Sequence, residues 1–320
     1  MNLWQRLPLI LLLGMGMLCL GIGCGDDNNP AEPPPAPVGH LTLATHTLDF
    51  ALTVNEQQIN ISNTGDTSLT WSITAVSVPY WAKATPISGT LASDAQTPLT
   101  VRVFRAVVGP GTTTAKLFFD TNANDDSLTL SIQRTCDLLG DDFNSGNAAN
   151  WTATAVTKSQ GDGYVVLSPN SALEAGRLMQ TVTPIYPFVV SARLERITQT
   201  ATYKQYGVLL EGSATTNALY FAVYADNDTN YTLDQCVNDQ WQTLSAGFTA
   251  LISTASSDWN ILRLELYKTG QQTFARAYAD TANTPLFEGI EIDQSLSFVK
   301  MGIRSDEYTI HADWFCSARQ

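Results

Sequence analysis

The sequence predicts an all-β protein in which two sandwiches of unequal size follow an N-terminal leader and tether. Three observations carry this. Apolar residues recur two apart in short runs from about residue 41 onward, clusters of Gly, Asn, Asp, Ser and Pro separate the runs, and no run beyond the leader has a helical period. With 320 residues, 44% of them hydrophobic, the chain has apolar material for two cores. Its 17 Lys and Arg stand against 30 Asp and Glu, a net charge of −13. That balance argues against nucleic acid as a partner, because binding a phosphate backbone needs clustered bases. Only three histidines, His40, His46 and His311, are available, so a multi-histidine metal site has little to draw on.

Residues 1–23 read as a targeting segment. Met1–Arg6 carries one positive charge, and Leu7–Leu20 is an apolar run shorter than a comfortable bilayer span. Gly21-Ile22-Gly23-Cys24 follows, and these residues resemble a bacterial lipoprotein signal. The resemblance implies that Cys24 is lipidated and becomes the first residue of the mature chain. One departure is Gly21 in the position where the family favours Leu; an ordinary signal peptide with an incidental Cys is the alternative. In such signals Asp directly after the Cys implies retention at the inner membrane. Gly25 stands there, so the resemblance implies an outer-membrane lipoprotein, periplasmic or surface-exposed, with a membrane contact through its lipid. Residues 24–39, with five prolines between Pro30 and Pro37, cannot form a helix or sheet interior and read as an extended tether.

Residues 40–134 read as a small sandwich. Alternation runs through Leu48–Val54, Ile59–Ile61, Leu69–Ile73, Leu99–Val103 and Leu128–Ile132, with turn signals at Asn63–Asp66, Ser88-Gly89, Gly109–Gly111 and Asn122–Asp126. About seven short strands in so few residues indicate an immunoglobulin-like β-sandwich. Asn63-Thr64-Gly65, Leu69-Thr70-Trp71, Trp81-Ala82 and Thr85–Leu91 resemble the BACON family, whose name implies carbohydrate association, although such modules also serve as spacers. Trp71, inside an alternating strand, reads as core. Trp81, beside Tyr80 in a loop, reads as a packing residue, with a stacking platform as the alternative.

Residues 135–320 hold eleven further runs, among them Phe188–Ile197, Leu219–Ala225, Trp259–Tyr267 and Ile310–Phe315, which fit a larger jelly-roll of two sheets. Asp141-Asp142-Phe143 with Trp151, Asp258–Leu264, and Gly302-Ile303 with Ala312–Phe315 together resemble a concanavalin A-like lectin/glucanase or laminin-G-like domain. In such domains the first and last strands are neighbours, so a Cys136–Cys316 disulfide is expected. It would contribute on the order of 5 kcal/mol by loop entropy and leave Cys236 free. The resemblance also makes Asp142 and Asp313 candidates for one structural Ca²⁺; exposed carboxylates without an ion are the equal alternative. Most of the negative charge lies in this domain, eleven basic against twenty acidic residues.

Catalytic signals are sparse. Glucanases of this fold carry Glu-x-Asp followed by a second Glu on one strand; Glu291-Ile292-Asp293 supplies the first half, and Gln294, Ser295 and Leu296 follow where the acid/base Glu would stand. Asp226-Asn227-Asp228 opens like a calcium loop, but Tyr231 and Val237 occupy its Gly and Glu positions, so a polar hairpin turn is favoured. No nucleophile elbow or phosphate loop is present. What remains is a candidate glycan-binding face. Tyr220, Ala222 and Tyr224 share one side of a strand, Arg263 and Glu265 turn away from core-like Leu262, Leu264 and Leu266, and Tyr278 alternates with Arg276. Aromatic rings beside charged groups suit sugar C–H faces and hydroxyls, whereas a solvated sheet face with ion pairs is the plainer reading. The expectation is therefore a non-catalytic envelope lipoprotein that binds a polysaccharide or glycoconjugate. A glycoside-active enzyme and an adhesive protein are the alternatives.

Overall fold

The computed structural model describes residues 38–144, 147–160, 163–170, 175–197, 205–214, 216–224, 230–253, 255, 258–306 and 308–319. The leader, Cys24, most of the tether and the Asp226–Asp228 turn lie outside the described residues. The described chain is all-β: its helical turns are 3-10, as at Arg105–Val107.

The first sandwich consists of β1 (Leu41–Leu43), β2 (Thr47–Asp49), β3 (Glu56–Asn63), β4 (Leu69–Ile73), β5 (Ala82–Thr85), β6 (Ser88–Leu91), β7 (Gln96–Val103), β8 (Gly111–Thr121) and β9 (Asp126–Arg134). One sheet has the order β1-β3-β7-β5 and the other β2-β9-β8-β4-β6. Trp71 and Trp81 are both buried in the core between them, so Trp81 is a packing residue and offers no platform. The alternation from Leu48 to Val54 does not give one strand. The strand ends at Asp49, and Ala51 takes a left-handed φ of 42°. There the Arg105 guanidinium donates to the carbonyls of Phe50, Ala51, Val54 and Gln133, satisfying with a side chain what a strand partner would otherwise satisfy.

The second sandwich consists of β10 (Leu139–Asp141), β11 (Thr152–Thr154), β12 (Val156–Gln160), β13 (Val165–Pro169), β14 (Ala175–Thr181), β15 (Phe188–Arg196), β16 (Gln205–Gly212), β17 (Ala218–Tyr224), β18 (Tyr231–Val237), β19 (Gln240–Gly247), β20 (Trp259–Thr269), β21 (Gln272–Ala279), β22 (Phe287–Ile292), β23 (Phe298–Asp306) and β24 (Ile310–Arg319). An eight-stranded sheet runs β12-β13-β24-β15-β20-β21-β22, with β10 also paired to β24; a seven-stranded sheet runs β11-β14-β23-β16-β17-β18-β19. Period-two alternation turns Val190, Ala192, Leu262 and Leu264 of the first sheet, and Val208, Leu219, Phe221 and Ile303 of the second, into one shared core.

Each sheet thus has an outer face, and the eight-stranded one meets the first sandwich. Ile261, Trp314 and Cys316 belong to the first sandwich's hydrophobic cluster. A bulge makes this possible: Arg193 pairs with Trp314 and Leu194 with Ala312, leaving Asp313 as an extra residue in β24. Trp314 packs so closely on Gly109 that a Cβ there would stand 2.9 Å from the indole ring. Arg134, buried at the same place, donates to the Val108 carbonyl at 2.6 Å and to Ser191 Oγ at 2.9 Å, with its guanidinium 5.5 Å from the Trp314 ring. Cys136 and Cys316 form a disulfide across 180 residues of sequence, and Asp137 pairs with Arg319 at 2.6 Å beside it. Cys236 is free and buried.

Candidate functional site

The outer face of the seven-stranded sheet is built by register. Tyr220 lies across from Leu209 and Asp234, Gly207 from Ala222 and Arg304, Gln205 from Tyr224, Asp234 from Thr243, and Cys236 from Trp241. Small residues in the middle of the face leave a shallow depression of about 280 Å³ among Gln205, Tyr220, Tyr224, Asp234, Trp241, Thr243 and Arg304. The Arg304 guanidinium lies 4.8 Å from the Tyr220 ring centroid and 5.0 Å from that of Trp241. Asp306 holds it from the side, accepting from Nε at 2.8 Å and from the terminal nitrogen at 3.1 Å. Trp241 remains 48% exposed, so part of its ring faces solvent.

Polar groups surround this stack. Asp234 accepts from the Thr243 hydroxyl at 2.6 Å and the Thr232 hydroxyl at 2.8 Å. The Tyr224 hydroxyl is 3.2 Å from Thr232 Oγ1 and accepts from Gln205 Nε2. Burial pushes the Tyr220 and Tyr224 hydroxyls above their ordinary pKa. Desolvation opposes the Arg304 charge, but Tyr220, Asp306 and Asp234 outweigh it and raise its pKa. Beside the depression Glu211 pairs with Arg177 at 2.6 Å and with Lys300 at 4.0 Å. The face therefore has little unpaired charge. It offers a half-open aromatic ring and fixed hydroxyl, amide and carboxylate groups, which can stack on a sugar ring and bond its hydroxyls.

The sequence-derived face divides in two. Tyr220 and Tyr224 lie here; Arg263, Glu265 and Tyr278 lie on the outer face of the eight-stranded sheet, so the five residues do not form one site. Alternation orients side chains within a strand but does not say which of two sheets the strand joins. Tyr220 is also 1% exposed, with its hydroxyl donating to the Arg304 carbonyl at 3.3 Å. It is the floor under Arg304, not an open platform. On the other sheet Arg263 lies over Tyr278 at 3.9 Å, and Glu265 is shared between Arg263, at 3.4 Å, and Arg276. Burial lowers the pKa of Arg263 and raises that of Tyr278.

Trp241, the most exposed ring of the depression, was not legible as a site residue. The stretch Gln240–Gly247 has no apolar alternation, and the available signal was the Asn238-Asp239 pair, both left-handed at φ 52° and 65°, which makes the tight hairpin between β18 and β19. Asp313 is engaged by Arg193 at 2.6 Å, and Asp142 Oδ1 accepts from the Asn144 backbone. A Ca²⁺ on Asp313 would compete with that guanidinium, and among the described residues no group of three or more His, Cys, Asp or Glu could hold a metal ion. The two carboxylates therefore fit a calcium site poorly. Glu291, on edge strand β22, accepts from Gln272 of β21, and Asp293 accepts from Ser295. His311 stacks on Tyr164 at 4.1 Å and bonds Glu195 at 2.9 Å, a packed surface cluster on the other sheet.

Residues 40–134 match the family described as the viral BACON domain. Among curated proteins no relative matches the chain by sequence. Solved structures similar to it include the carbohydrate-binding module CBM66 from Bacillus subtilis, at 13% identity and TM-score 0.40, covering 52% of this chain and 94% of that one. A GH43 protein, BlXynB from Bacillus licheniformis, has 10% identity and TM-score 0.42, covering 87% and 64%. Sheep galectin-11 in complex with glycerol has 12% identity and TM-score 0.32, covering 42% and 95%.

Proposed function

We propose that this chain is a cell-envelope lipoprotein that binds a neutral glycan on the outer face of its seven-stranded sheet, without catalysing a reaction on it. The observation that carries the reading is the Trp241–Arg304–Tyr220 stack, rigidly held and open on one side, beside Asp234, Gln205 and Tyr224. The pairing of Arg304, Arg177 and Lys300 with Asp306 and Glu211 supports neutral rather than charged sugars. The second sandwich is read as a concanavalin A-like jelly-roll, supported by two large packed sheets whose first and last strands are paired. The first sandwich acts as a spacer between it and the tether. Cys24 after an apolar leader, followed by Gly25, supports an outer-membrane anchor.

Glycan-array binding combined with a reducing-sugar release assay tests the reading. Retention without release supports it, release points to an enzyme, and the absence of both favours an adhesive protein. Trp241→Ala should weaken retention at least about 10-fold, the scale of losing one stacked aromatic anchor, while leaving the melting temperature nearly unchanged. Fatty-acid labelling of the wild type that persists in Cys24→Ser would remove the anchor assignment.

A further inference from the structure

The joint between the sandwiches gathers basic groups against the trend of the chain. A cleft of about 310 Å³ is lined by Arg102 and Arg105 from the first sandwich and Arg263 from the second, with Asn55, Thr281 and Asn283 adding amide and hydroxyl groups. None of its described lining residues is acidic, in a chain with 30 acidic and 17 basic residues. A fourth guanidinium, that of Arg134, is buried close enough to Arg263 to feel its charge.

These cations are poorly neutralised. The Arg105 guanidinium is bonded to backbone carbonyls, and Arg134 to a carbonyl and a hydroxyl. Arg263 Nε is buried without a hydrogen bond among the described residues; its nearest carboxylate, Glu265 at 3.4 Å, is held more closely by Arg276. Two acidic residues stand nearby: exposed Glu56 lies across the strand pair from Arg102, and Asp280, next to Thr281, accepts from the Ile261 backbone at 2.9 Å. Burial lowers the pKa of Arg105 and Arg263, and brings that of Arg134 from 12.5 to about 9 with Arg263 adding to the effect. Guanidinium stays protonated in proteins, so these shifts express the cost of drawing charge from water with incomplete compensation, Arg263 having only a share in Glu265, and a bound anion would relieve that cost.

We propose that the cleft is an oxyanion site that takes the carboxylate of a uronic acid residue in a glycan chain. Arg102, exposed at the cleft, and Arg263, more deeply placed, face the carboxylate; Asn55, Thr281 and Asn283 are within the same cleft for ring hydroxyls. The net charge of −13 opposes a densely charged polyanion, so the fitting ligand is a largely neutral chain with spaced acidic residues. The site is separate from the Trp241 face and does not depend on it.

Calorimetric titration of the full chain with an oligosaccharide carrying one uronic acid, and with its carboxyl-reduced counterpart, tests the proposal. The acidic form should bind at least about 10-fold tighter, the scale of a charge-assisted contact, and added salt should shrink the preference. Arg102→Glu and Asn283→Asp, both at exposed positions, should each remove most of that preference with the fold intact by melting, whereas Trp241→Ala should leave it in place. Equal binding of the two oligosaccharides, or a preference untouched by both cleft variants, would overturn the assignment. Sulfate binding without any uronate preference would do the same, by showing an adventitious ion only.

Discussion

The two outer faces of the second sandwich have the same origin, alternate residues of antiparallel strands, and opposite fates. On the seven-stranded sheet Arg304 is matched by Asp306 and sandwiched by aromatic rings, and the face is open to solvent at Trp241. On the eight-stranded sheet Trp314, Cys316 and Ile261 are consumed by packing against the first sandwich, and there half-buried Arg263 lies near buried Arg134 of β9, both with poor compensation. Charge that is paired leaves a neutral surface. Charge trapped at a joint leaves a local positive field inside an acidic protein.

The largest test breaks the occupied face. Replacing Cys136 and Cys316 with Ser should cost on the order of 5 kcal/mol in denaturant unfolding, because the closed loop is long. A loss below about 1 kcal/mol would instead assign the attachment of the first sandwich to Trp314, Ile261 and Arg134 alone, since the chain-entropy contribution would be missing. Next comes Tyr220→Ala on the open face, which should cost about 3–5 kcal/mol as a buried aromatic truncation. Its effect on glycan retention then mixes packing with binding, so the exposed Trp241 is the cleaner probe. A Tyr220→Ala protein of unchanged stability would show that the floor beneath Arg304 is not packed.

A smaller effect is expected at Asp280. Burial raises its carboxyl pKa above the usual 3.8, so the folded state holds its proton more tightly than the unfolded chain. Its contribution is present at low pH and is lost as pH rises through the folded value. Asp280→Asn keeps an acceptor for the Ile261 amide and suits the left-handed φ of 48°, so it should raise the melting temperature at pH 7 and lose that advantage near pH 3. An advantage independent of pH would assign the gain to the turn instead of the charge. The smallest expected effect is from chelator: with Arg193 on Asp313, removing divalent cations should leave the melting temperature unchanged, and a clear drop would restore Asp142 and Asp313 as a calcium pair.

Much of the fold could be read from alternation. Leu69–Ile73 forms the strand its pattern predicts, and Leu219, Phe221 and Val223 face the core opposite Tyr220, Ala222 and Tyr224. Burial of Tyr220 could not be read the same way, because its cover, Arg304, comes from a strand more than eighty residues away. Strands with little buried alternation, such as Gln240–Gly247, were likewise invisible, and with them Trp241. The joint was hidden for a related reason: nothing local distinguishes Arg102 or Arg263 from the other arginines until tertiary packing brings them together.

The bulge at Asp313 works as a change of parity. Before it, odd-numbered His311 faces away from the core; after it, even-numbered Trp314 and Cys316 do, with Ala312 and Phe315 facing inward on either side. One strand thereby serves two clients whose spacings differ by an odd number. Drawing Asp313 into the regular pairing, with no residue removed, would turn Cys316 into the inner layer and away from Cys136, whereas deleting Asp313 would leave Trp314 and Cys316 on their present face.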